Sequence, residues 1–153
     1  MLKGLIFVSL VACAIAEDKY MASIATRSTK VEGHLRCGVE PLANAHVRLF
    51  RTASEDLNEV ISSGKTDDKG RFSVEGDTSR FEGDQSAIDP YLRIYHKCDE
   101  EETKSGYRRV ELRYPREFVT LGRVPRRSFN IGILNMEVIY PNEKRQKVLE
   151  GVN

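Results

Sequence analysis

The stretch Asp89–Cys98, "DPYLRIYHKC", alternates after its proline, with Leu92, Ile94, His96 and Cys98 on one parity. A period of two predicts a half-buried β-strand that carries Leu92 and Ile94 into a core. Asp89-Pro90 marks the entry to that strand. The stretch also ends in His96 and Cys98, and "VEGHLRCG" upstream supplies a second such pair, His34 and Cys37. Two histidines and two cysteines in facing segments suit a zinc site, a redox or nucleophilic site, or a disulfide with bystander histidines.

Strand geometry weighs against zinc. His34 and Cys37 are three residues apart, so an extended strand sends them to opposite faces. Zinc ligands must instead converge within roughly 2.0–2.3 Å of the metal. A Cys98 nucleophile needs a thiolate beside a positioned base, which His96 offers. In an oxidising compartment a second inward cysteine would remove that thiolate by oxidation. No Gly-x-Ser-x-Gly elbow and no phosphate-cradling loop is present; Gly64, Gly70, Gly76 and Gly83 are spaced as turns. The acidic run Asp99–Glu102 lacks the alternating ligand spacing of a calcium loop and reads as a solvated acidic loop. Neither a metal nor a cofactor is expected.

The compartment is read from residues 1–16. Lys3, the apolar run Leu5–Ala12 and the small-x-small Ala14-Ile15-Ala16 predict a signal peptide cleaved before Glu17. The run falls short of the roughly 20 residues a spanning helix needs. An uncleaved anchor and a lipoprotein box at Leu10–Cys13 are the competing readings. No later segment is apolar enough to span a membrane, so the mature chain is expected to be soluble, secreted and extracellular. The remaining 137 of the 153 residues suit one domain. Of 24 basic residues one, Lys3, leaves with the leader, giving 23 against 23 acidic ones. That balance argues against nucleic acid as a partner. Cys13 leaves too, and the even pair Cys37 and Cys98 makes a disulfide the default. Such a bridge would close a loop of about 61 residues, worth about 4 kcal/mol by chain entropy.

Outward from Asp89–Cys98, the chain reads as short strands and turns. "KVEGHLRC" puts Val31, Gly33, Leu35 and Cys37 on one face and Glu32, His34 and Arg36 on the other. "AHVRLF" turns Val47 and Leu49 inward, and Val60-Ile61 opens a further strand. "TDDKGRF" (66–72) is a tight turn, with Asp to start it and Gly for positive φ, before Phe72 and Val74 return. "YRRVELRY" is expected to bury Val110 and Leu112. "SFNIGILNMEV" is expected to bury Phe129, Ile131 and Ile133, with Gly132 marking a bulge. About seven strands at this spacing predict an all-β sandwich. The domain is drawn over residues 30–140, after a flexible segment at 17–29 and before a charged, frayed tail at 141–153.

Between residues 108 and 127, "RRVELRYPREFVTLGRVPRR" holds Arg108, Arg109, Arg113, Arg116, Arg123, Arg126 and Arg127 against Glu111 and Glu117. Every basic residue in it is arginine, whose planar fork suits carboxylate or phosphate groups. The segment is a candidate for binding an anionic surface. The alternative is a solvated loop pairing in part with the acids at 99–102.

Five stretches in this order, "VEGHLRCGVEPLANAHVRLF", "KTDDKGRFSVEGD", "IDPYLRIYHKC", "YPREFVT" and "SFNIGILNMEV", resemble the nematode transthyretin-like family over about Lys30 to Tyr140. The resemblance implies a secreted transthyretin-like (prealbumin-like) sandwich of about seven strands in two sheets, with Cys37 bridged to Cys98. It also implies extracellular proteins without established enzymatic activity that bind ligands, lipids or cell-surface partners. Many members carry further cysteines; here those regions read "EETKSGY" and "NEKRQKV", so a looser tail is expected. More distant proteins of this fold include thyroid-hormone carriers, which need a tetramer with a central channel. They also include 5-hydroxyisourate hydrolases, which need clustered His and Arg and a C-terminal Tyr-Arg-Gly-Ser that "KVLEGVN" does not match.

Three functional readings follow. The first is a non-enzymatic binding protein that docks a cell surface, an extracellular receptor or an anionic lipid surface through the arginines. The second is a carrier holding a small hydrophobic ligand between the sheets. The third is a hydroxyisourate-hydrolase-like enzyme using His34, His96 and nearby arginines, which strand parity opposes because acid–base groups must converge.

Overall fold

A computed structural model describes residues 25–151; the leader expected at 1–16 lies outside them. Ten strands run in chain order: β1 (Arg27–Cys37), β2 (Glu40–Pro41), β3 (His46–Phe50), β4 (Val60–Lys65) and β5 (Arg71–Asp77), then β6 (Tyr91–His96), β7 (Tyr107–Arg113), β8 (Val119–Leu121), β9 (Ser128–Asn135) and β10 (Lys144–Gln146). They form two five-stranded sheets, so the all-β sandwich expected from strand spacing is present. In the first sheet the long β1 is the hub, pairing with β5 on one side and β9 on the other, and with β8 and β2 at its ends. The β1–β9 pairing is parallel, while every other pairing in both sheets is antiparallel. The second sheet runs β10-β7-β6-β3-β4.

The core follows from parity. Val31 and Leu35 of β1 meet Val47 and Leu49 of β3, Leu92 and Ile94 of β6 and Val110 of β7, all essentially inaccessible, with Met136 beside them. The β6–β7 register sets Leu92 against Leu112 and Ile94 against Val110. At the end of β6 the Cys37–Cys98 disulfide ties the two sheets together. Both cysteines are consumed there, which removes the thiolates that the zinc and nucleophile readings require.

The turn at 66–72 is built as its residues dictate. The Asp67 carboxylate accepts from the backbone N–H groups of Lys69 and Arg71, at 2.9 and 2.8 Å. Gly70 takes φ +74°, and a Cβ there would sit 2.2 Å from the Leu35 carbonyl. Only glycine fits without moving β1.

Two expectations need correction. Ile133 is 62% exposed rather than buried. Gly132 adopts φ +75° where the β1–β9 register slips between Glu32 and His34, so parity reverses and Leu134 takes the inward place. Second, residues 143–146 are not part of a frayed tail. Strand β10 pairs with β7, and Glu143 forms a bidentate pair with Arg108 at 2.6 and 2.9 Å. Beyond the about seven strands expected, the described residues hold three short ones, β2, β8 and β10, too short to show a period. The pairing of β1 likewise begins at Arg27, ahead of the Lys30 boundary.

Candidate functional site

Alternation along β7 separates the arginines that stand together in the sequence. Arg108 folds over the sheet edge, where it holds Glu143 and donates to the carbonyls of Cys98, Met136 and Val138 at 3.2, 2.9 and 3.0 Å. All five of these bonds go to other parts of the chain. Arg109 points to the opposite face, 4% exposed, and grips Glu55 with two 2.8 Å bonds. Neither side chain faces an external surface.

The other five gather toward one end of the sandwich. Arg113 and Arg116 share Oδ1 of Asp89, at 3.0 and 3.2 Å from their Nε atoms. Burial alone would push the Asp89 carboxyl up, but bonds from Arg116 and Arg113 outweigh it and hold the group below its ordinary value. Arg123, Arg126 and Arg127 lie exposed in the loop 122–127 that joins β8 to β9. Among the described residues none of these three pairs with a carboxylate. Arg127 instead lies over the Phe118 ring at 5.1 Å. Phe118 packs on Phe129, which stacks against Tyr114, whose hydroxyl meets Thr29 Oγ1 at 2.9 Å. The loop therefore stands on a rigid aromatic base.

Thr120 shapes the loop by donating to the Val124 carbonyl and accepting from the Arg126 N–H, each at 3.4 Å. Leu121, the last residue of β8, and Val124, between Arg123 and Arg126, are 57% and 75% exposed. The result is a strand end and loop that present two aliphatic side chains beside three guanidinium groups with no carboxylate partner among the described residues. Its chemistry suits an anionic interface that also accepts apolar groups.

The histidines do not converge. His34 lines a groove of about 570 Å³ on the outer face of the first sheet, with Glu32, Lys65, Asp67, Arg71 and Asn130. Its Nε2 is buried and has no hydrogen-bond partner among the described residues. His96, 2% exposed, belongs to the second sheet and lines a different cavity. Its Nδ1 accepts from the Cys98 N–H at 3.2 Å, which places the proton on Nε2. Burial, then the Arg108 charge, push His96 down to about 4. It is a neutral core histidine.

A model of the transthyretin-like family, TTR-52, matches residues 32–115. The chain belongs to the transthyretin-like family. It is 38% identical to transthyretin-like protein 33 of Caenorhabditis elegans, over 88% of this chain and 89% of that one. It is 36% identical to transthyretin-like protein 46 of the same nematode, over 82% of this chain and 68% of the relative. Transthyretin-like protein 5 of that organism is 28% identical over 89% of this chain and 94% of its own.

In this transthyretin-like chain, Glu100 of the acidic run is bound rather than solvated. It pairs with Lys104 at 3.1 Å and Arg145 at 2.6 Å, and its side chain is 4% exposed. Among the described residues, no helix is long and apolar enough to cross a membrane. Sequence reading missed Arg48 and Arg93, which are 5% and 4% exposed on the outer face of the second sheet. A charged residue on outward parity gives no signal that a loop will later cover it.

Proposed function

We propose that this protein is a secreted, non-enzymatic binding protein that docks on an anionic phospholipid surface through the loop 122–127. The observation that carries the reading is the set of three exposed arginines without carboxylate partners around Leu121 and Val124. Arginine supplies attraction to phosphate, and the two aliphatic side chains can enter the headgroup boundary. Arg113 and Arg116 add charge at the same end, since one Asp89 carboxylate balances only one of them. Arg108 and Arg109 take no part, being occupied within the fold. Secretion is supported by the leader-like start of the sequence and by the disulfide, a bond that persists in oxidising compartments.

Vesicle flotation tests this reading. Vesicles containing phosphatidylserine should carry the wild type, and pure phosphatidylcholine vesicles should not. Each basic residue near such a surface is worth about 1 kcal/mol, so adding salt should weaken the binding steeply. Salt-independent binding, or equal binding to both vesicles, would remove the proposal. Attachment to cells without attachment to vesicles would point to a protein receptor.

A second reading, carriage of a small ligand, draws support from the groove at His34. That groove is lined mainly by polar residues on an outer face, unlike the hydrophobic carrier between the sheets that the sequence suggests. Lys65 and Arg71 line it and pair with no carboxylate among the described residues. Native mass spectrometry of protein from its own source would show a retained mass in that case. A mass matching the disulfide-bonded chain alone would argue against it.

A further inference from the structure

The outer face of the second sheet carries three almost fully buried arginines on adjacent strands. Arg48 of β3 lies opposite Arg93 of β6, and Arg93 lies opposite Glu111 of β7, with Arg109 two residues along. All three are 4–5% exposed. They surround a small cavity of about 110 Å³ completed by Tyr95, Glu55, Gln146 and Glu150.

The charges in this cavity are not matched by fixed acids. Glu111 is held on a strand and serves Arg93 and Arg109 at 3.1 and 2.9 Å. Glu55 is the other carboxylate that pairs with these arginines, bidentate to Arg109 and 3.5 Å from Arg93, while Glu150 also lines the cavity without an ion pair to them among the described residues. It comes from the loop between β3 and β4 and keeps 64% of its side chain exposed. Arg48 has no carboxylate among the described residues. Its guanidinium donates to the backbone carbonyl of Glu150 and lies 5.5 Å over the Tyr95 ring. A buried cation without a counter-ion is costly unless something compensates it.

We propose that this cavity is a seat for one small oxyanion, a carboxylate or phosphoryl group, with the Glu55 carboxylate as a displaceable internal occupant. The Arg109 fork already binds a planar anion in the geometry that suits carboxylate or phosphate. Arg48 supplies a second guanidinium facing the same space, and Lys144 sits at the rim, 3.6 Å from Glu55. An incoming anion takes the place of Glu55 on Arg109 and adds the counter-charge that Arg48 lacks. The volume admits one such group and excludes ligands of the size that fill pockets of roughly 300–1,000 Å³. This seat is independent of the arginine loop proposed above, and its arginines are different ones.

Backbone NMR of the full chain, titrated with inorganic phosphate and separately with acetate at constant ionic strength, tests the seat. Glu55→Gln removes the internal competitor's charge. The expected result is saturable shifts around residues 48, 93 and 109, with affinity about tenfold tighter than wild type, the weight of one charge-assisted bond. Adding Arg48→Met should abolish that gain. Whichever anion binds tighter identifies the group as phosphoryl or carboxylate. A folded Glu55→Gln protein without saturable shifts, or one whose binding survives Arg48→Met, overturns the proposal in favour of a purely structural ion network. Should Glu55→Gln fail to fold, thermal melts of wild type and Arg48→Met decide between the two. A rise with phosphate or with acetate that is confined to the wild type supports the seat, and rises equal in both proteins or absent with both anions overturn it.

Discussion

His96 is buried beside Arg108 with its folded pKa depressed to about 4, against an ordinary 6.5. The sign follows from linkage: between those values the unfolded chain binds the proton and the folded chain does not. Stability contributed by the neutral imidazole is complete above pH 6.5 and is lost as pH falls through 4. The span corresponds to about 3 kcal/mol at 1.36 kcal/mol per unit. Urea melts from pH 7 to pH 4 should therefore show declining stability in wild type and a flatter profile in His96→Gln. Equal slopes would assign the decline to the carboxylates alone. Gly70 makes a second residue-scale prediction. At φ +74° and in contact with the Leu35 carbonyl, Gly70→Ala combines backbone strain with a steric clash. It should cost about 1–3 kcal/mol for the strain alone, readable as a lower urea midpoint with unchanged m-value.

At the scale of elements, the tail is held by one ion pair as much as by strand β10. Arg108 and Glu143 have side chains only 11% and 12% exposed. Glu143→Gln leaves a half-buried guanidinium short of its charge partner and should cost about 1.5–3 kcal/mol. Hydrogen exchange at Lys144–Gln146 should rise with it; unchanged protection there would show that the backbone ladder suffices. This element also shows where sequence reading stops. Strands β1, β3, β6 and β7 were legible because five or more residues alternate and their apolar members meet one core. Two- and three-residue strands such as β2 and β10 carry no period to detect. Ile133 was misplaced because a glycine with positive φ inserts one residue and reverses every later side chain. The contiguous arginines misled for a related reason: alternation sends Arg108 and Arg109 to opposite faces, where the fold occupies them, and the other five remain outside. Arg48 and Arg93 were invisible as buried groups because the chain at Glu150 that meets Arg48, and Glu55 that meets Arg93, each lie far from them in sequence.

On the scale of the whole molecule, two sheets held by one core and one cross-link present an arginine loop at one end and unpaired cations elsewhere. The Cys37–Cys98 bridge joins residues 61 apart. Replacing both cysteines with alanine should cost about 4 kcal/mol on the chain-entropy account; a loss below about 1 kcal/mol would mean the core alone fixes the fold. The central claim is locational: the loop 122–127, rather than basic charge in general, meets the anionic surface. Two triple charge reversals that change net charge equally separate these possibilities. One is Arg123, Arg126 and Arg127→Glu; the other is Lys65→Glu and Arg71→Glu in the His34 groove together with Lys69→Glu in the exposed turn beside it. The decisive measurement is the partition of both variants onto phosphatidylserine vesicles. The loop variant should lose about a hundredfold or more, near 1 kcal/mol per residue, while the groove variant stays within a few-fold of wild type. Equal losses in both would contradict the locational claim.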